Sequence, residues 1–106
     1  MKLLLLFFLS DCLANAQVDV EDLEFKNNFL YLKDSNDKFT GHVIGKAGGY
    51  VQNGLKEGKW TYYFSKNKIH KIINYKNGKK NGLQKEFYEN KNLKYLGQYI
   101  DGKRNG

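Results

Sequence analysis

The sequence repeats itself. Residues 58–81 laid over residues 82–105 coincide without a gap at Gly58/Gly82, Tyr75/Tyr99, Gly78/Gly102, Lys79/Lys103 and Asn81/Asn105. Similar residue types also coincide, among them Tyr63/Phe87, Phe64/Tyr88, Ile69/Leu93, Ile72/Leu96 and Lys80/Arg104. A fixed 24-residue period means that one supersecondary unit has been stacked on another. The pattern reaches upstream in degraded form. Asn53-Gly54-Leu55-Lys56-Glu57-Gly58 matches the boxes that start at Asn77 and Asp101, and Thr40-Gly41-His42-Val43 looks like the start of a shortened first unit over residues 41–57.

Each full unit reads as two strands and two turns. Lys59–Ser65 and Ile69–Lys76 form the first pair, Leu83–Glu89 and Leu93–Ile100 the second; aromatic and β-branched residues dominate all four. Asn53-Gly54, Asn77-Gly78 and Asp101-Gly102 lie between strands. A two-residue type I′ turn needs positive φ at both central positions, which Asn and Asp tolerate and Gly adopts freely. The second glycine of each box, Gly58 and Gly82, is expected to open the next strand and to let neighbouring backbones approach closely. A lone hairpin is marginal in water, so successive hairpins must cover one another. The expected fold is therefore all-β: tandem antiparallel hairpins in an elongated meander or ribbon.

The chain has 106 residues, room for one small domain, and its 15% aromatic content argues against disorder. Ahead of the repeats stands MKLLLLFFLSDCLANAQVDV. Lys2, the apolar run Leu3–Leu9 and the small-x-small site Ala14-Asn15-Ala16 have the layout of a signal peptide over residues 1–16, too short an apolar run to span a bilayer. A buried N-terminal strand is the alternative. Leu9-Ser10-Asp11-Cys12 also resembles a lipobox, which makes Cys12 an alternative lipidation site, although Asp11 is not the small residue such a site wants. An exported chain would be periplasmic, secreted or held at the envelope. Cleavage after Ala16 leaves no cysteine and no disulfide.

Residues 17–28 read as an acidic arm, with Asp19–Glu24 either a short helix or a loose segment. Charge is uneven: residues 17–40 carry a net −3 and residues 41–106 a net +10. The acidic head could attract the basic body, and the body could face an anionic partner; a solvated lysine surface explains the same counts.

The run from Gly58 to Gly106, with FLYLKDSNDKFTGHVIG ahead of it, resembles the bacterial variant of the MORN repeat, over roughly residues 29–106. Departures from that pattern are Asn67 and Lys91 where a tip glycine is usual, Gln84 where the tryptophan of Trp60 would recur, Ile73 where Gly97 has its glycine, and Lys38 before Phe39. The resemblance implies a non-enzymatic hairpin ribbon that binds proteins or membrane lipid, in a group often labelled antitoxin-like.

No catalytic set emerges. His42 and His70 lack a neighbouring acid, no Cys/His spacing suits a metal, and Glu86 and Glu89 fall on opposite faces of a strand. No cofactor is implied. Two binding candidates remain. The basic turn set Lys79, Lys80, Lys103 and Arg104 would project from one edge and hold an anionic membrane surface, unless it merely guards that edge against pairing. The aromatics Trp60, Tyr62, Phe87 and Tyr95 are core, or a platform for a protein partner; a nucleic acid is an improbable partner for an exported chain. The expectation is a protein-binding scaffold of the envelope or secreted space, with anionic lipid and toxin neutralisation as alternatives.

Overall fold

A computed structural model describes residues 17–105; the signal-peptide and Cys12 readings lie outside the described residues. The chain is all-β. β1 (Gln17–Asp19) leads through a three-residue 3-10 turn to β2 (Leu23–Lys26) and β3 (Phe29–Leu32), then β4 (Gly41–Ile44), β5 (Ala47–Gln52), β6 (Leu55–Ser65), β7 (Lys68–Lys76), β8 (Lys79–Phe87), β9 (Leu93–Ile100) and β10 (Lys103–Arg104). β4 to β10 follow one another as an antiparallel meander; β1 adds to its outer edge, parallel to β4. β2 and β3 form a separate hairpin. The whole measures 45 × 30 × 23 Å.

The turn pairs carry the backbone they were assigned. Asn53 and Gly54 have φ of 48° and 83°, Asn77 and Gly78 51° and 82°, Asp101 and Gly102 49° and 84°. The next glycine of each box behaves differently from the expectation. Gly58 and Gly82 sit inside β6 and β8 rather than at their starts, at φ of 75° and 113°. Pairing slips there: Gly48 opposes Thr61 while Tyr50 opposes Glu57, and Ile73 opposes Gln84 while Tyr75 opposes Lys80. Each glycine thus supplies the left-handed residue of a bulge. A Cβ on Gly58 would meet nothing within 4 Å, so conformation and not close approach requires the glycine.

The acidic segment is folded: of the two expectations the short helix is met in part, as a single 3-10 turn over Val20–Asp22 set between β1 and β2, and the loose arm is not. Val18, Val20 and Leu23 pack on the core while Glu21 and Asp22 face water, which fixes the backbone between two strands. Asp19 caps the 3-10 turn by accepting from the Glu21 amide at 2.8 Å. Among the described residues the acidic head and basic body share a single ion pair, the exposed Lys46–Glu21 contact. Such a pair adds little.

The core lies where the β2–β3 hairpin covers the first half of the sheet. Phe39, Val43, Ala47, Val51 and Trp60 are buried together, and Leu30, Tyr62 and Tyr75 pack against them. Hydrogen bonds from Leu30 N–H to the Gly54 carbonyl (2.9 Å) and from Gly54 N–H to the Phe39 carbonyl (2.8 Å) lock the cover on. Trp60 lies over Gly49, where an added Cβ would fall 2.4 Å from the indole, and its N–H donates to the Tyr50 carbonyl at 3.0 Å. One repeat later Ile73 holds the position of Gly49. The residue beside it is Gln84 rather than a second tryptophan, and Gln84 is 4% exposed.

Candidate functional site

Strand alternation decides which side chains meet. Tyr75 opposes Lys80 and Tyr99 opposes Arg104, while Lys76 opposes Lys79 and Ile100 opposes Lys103. Lys80 and Arg104 therefore share one face of the sheet, and Lys79 and Lys103 the other. The four cations do not make the single row expected of them. Instead Lys56, which stands one repeat before Lys80, joins Lys80 and Arg104 in a row laid on tyrosines.

Lys56 begins that row. Its ammonium lies 5.0 Å from the centre of the Trp60 ring, 5.4 Å from Tyr62 and 5.1 Å from Tyr75. It also donates to the Tyr62 hydroxyl at 3.0 Å. Tyr62 and Tyr75 join hydroxyls at 3.1 Å, and Lys71 approaches the Tyr62 ring at 5.3 Å. Farther along, Lys80 lies 4.9 Å from Tyr99 and Arg104 5.3 Å from Tyr95, whose hydroxyls meet at 3.0 Å. Aromatic faces attract cations through the ring quadrupole and so help hold charge on this face. Glu86, half-buried and opposite both Lys71 and Tyr95, shares the face and accepts from the Gln84 side-chain amide at 2.8 Å.

Burial, and then the nearby charge of Lys71, push the Lys56 ammonium below the usual lysine range. Burial and the hydrogen bond to Tyr75 push the Tyr62 hydroxyl well above the ordinary phenol value. The hydrogen bond to Tyr99 raises Tyr95 as well. Lys56 and Lys71 repel one another, and among the described residues neither closes an ion pair, although Glu86 stands opposite Lys71. An incoming anion would relieve that repulsion.

The aromatic candidates divide. Trp60, 1% exposed, is core and not surface. Tyr62 and Tyr95 are half-buried members of the row. Phe87 ends β8 opposite Leu93. Lys56, Lys71, Tyr75 and Tyr99 were missed from the sequence. Shifting Lys80 back by one period finds Lys56, and the Tyr75/Tyr99 match already marked those two.

The opposite face carries exposed Leu83, Leu96 and Ile100 close to Lys103. His42 packs tilted against Tyr50 and His70 stacks on Phe64. Among the described residues no group of three or more His, Cys, Asp or Glu could hold a metal ion. No family model, curated protein or solved structure matches the chain.

Proposed function

We propose that this chain is an exported, non-enzymatic, MORN-like hairpin-repeat scaffold that binds a protein partner through its tyrosine–cation face. One observation carries the reading: the row Lys56, Lys80, Arg104 lies on half-exposed tyrosine rings, and none of the three cations is held in an ion pair among the described residues. Tyrosine and arginine are the side chains that dominate protein interfaces, because they bury large rigid area at small entropy loss. Uncompensated positive charge selects a partner with acidic residues and speeds encounter. The 24-residue hairpin unit supports the family resemblance. The layout of residues 1–16 supports export.

Anionic lipid is the weaker reading, since Lys79 and Lys103 face away from Lys80 and Arg104 and the charges oppose no single plane. Neutralisation of a toxin by direct contact is one form of the protein-binding reading and uses the same face.

The test places a photo-cross-linking side chain at Tyr99 and, as control, at exposed Lys66, in cells that make the protein. A protein adduct specific to position 99 and weakened by Lys80→Gln supports the reading. Equal adducts at both positions, together with salt-sensitive flotation on anionic vesicles, would replace it with the lipid reading.

A further inference from the structure

The face does not end at the sheet. Beside Lys56 a groove runs between the β2–β3 hairpin and the Asn77-Gly78 turn. Phe25, Leu30 and Leu55 wall it with apolar surface, and Phe25 is 67% exposed, a large hydrophobe left uncovered at the rim. Lys56, Tyr75 and Lys79 also line it. No acidic residue lines it. An uncompensated ammonium next to an apolar wall calls for a ligand in which an anion and an apolar group are held close together.

We propose that this groove receives the C-terminal residue of a partner protein, its free carboxylate on Lys56 and its apolar side chain against Phe25, Leu30 and Leu55. The inference rests on the protein-binding reading and names the part of the partner that is recognised. A chain terminus carries a carboxylate and a side chain on one Cα, so both reach the floor and the wall together. An aspartate or glutamate side chain has a charge with no apolar group beside it. Lys56 keeps ammonium protons beyond the one it gives Tyr62, so it can donate to a carboxylate without leaving the tyrosine pair. Asn28 and Asn77 also line the groove and offer amide donors and acceptors to the partner's last peptide bonds. A fatty acid has the same head and tail chemistry but no peptide groups for those asparagines. Capture of a terminal carboxylate is a recurring mode of peptide recognition.

The experiment is fluorescence anisotropy on the purified protein with a fluorescein-labelled hexapeptide, Gly-Ser-Gly-Ser-Ala-Leu. It is run with a free C-terminus, as the C-terminal amide, and in competition with dodecanoate. The free acid is expected to bind with Kd below about 1 mM, and the amide at least tenfold more weakly. Lys56→Gln should weaken the free acid about tenfold and leave the amide unchanged. Phe25 is exposed and outside the core, so Phe25→Ala keeps the fold and should weaken both peptides. Equal binding of acid and amide overturns the proposal, as does a free acid indifferent to both variants. Dodecanoate displacing the peptide at far lower concentration than peptide itself replaces the partner terminus with a lipid. If the peptide fails while the Tyr99 adduct persists, the groove is wrong and the binding face stands; if both fail, both fall.

Discussion

Gly49 and Gly58 are both required to be glycine, for different reasons, and the difference is measurable. A Cβ on Gly49 would fall 2.4 Å from the Trp60 ring, against an ordinary contact of 3.4 Å or more. Trp60 cannot give way, since it is 1% exposed and its indole N–H is held by the Tyr50 carbonyl. Gly49→Ala should therefore cost about 3 kcal/mol, the upper end for overpacking a core. A Cβ on Gly58 meets nothing within 4 Å, but the residue stands at φ 75°. Gly58→Ala should cost about 1 kcal/mol, the penalty for an L-residue in the left-handed region. Urea unfolding followed by the fluorescence of Trp60, the only tryptophan, reads both losses against a native stability of roughly 5–15 kcal/mol. Trimming the ring should then separate the two. In a Trp60→Leu background Gly49→Ala should lose most of its cost, a coupling of about 2 kcal/mol, while Gly58→Ala keeps its full cost; circular dichroism replaces fluorescence there. No coupling at Gly49, or a Gly49→Ala loss below about 0.5 kcal/mol, would refute the account of the Trp60 seat.

Other variants test other parts. Gln84 is buried with its Oε1 unpartnered but its Nε2 donates to the Glu86 carboxylate at 2.8 Å, so Gln84→Met loses a charge-assisted bond and should lower stability by about 1 kcal/mol in the same urea assay. Lys91 sits at φ 76° in the β8–β9 connection, and Lys91→Gly should stabilise by about 1 kcal/mol, read as a rise in Tm. Leu96 is 52% exposed, so Leu96→Thr should change stability by less than about 0.5 kcal/mol in the same urea assay. Tyr62 stays protonated in the fold above pH 10, where the unfolded phenol ionises, so its contribution is full below pH 10 and is lost as pH rises further. Lys56 acts oppositely: its depressed folded value makes stability rise with pH up to the unfolded value of 10.5. Tyr62→Phe should flatten the alkaline loss, and Lys56→Gln should remove the rise that precedes it, both in urea midpoints taken from pH 8 to 12.

The meander was legible because its turns are written in two-residue pairs that admit few conformations. Asn77-Gly78 and Asp101-Gly102 fix a hairpin wherever they occur between aromatic strands. What was hidden depends on contacts distant in sequence. β1 pairs with β4 across the whole β2–β3 hairpin, and three residues of strand carry no periodicity to announce that. Local composition pointed to acid, while Val18, Val20 and Leu23 decided the conformation by finding the core. In the candidate site, alternation along a strand sent adjacent lysines to opposite faces, so counting charges in a turn could not show which of them act together. Trp60 and Tyr62 stand two apart on the same face; only the cover supplied by β2–β3 makes one core and the other surface.

Strand order also dictates how this chain assembles. From β4 to β10 every strand pairs with its immediate successor, so each step closes only a short loop around a turn whose backbone is already biased. The meander can zip from any of its Asn-Gly or Asp-Gly turns. β1 alone must wait, since its partner β4 exists only as part of the grown sheet and lies beyond an intervening hairpin. It is therefore the last strand to dock and the first to open, so hydrogen exchange should find the amides of Val18 and Asp19 unprotected while those around Trp60 and Ile73 still hold.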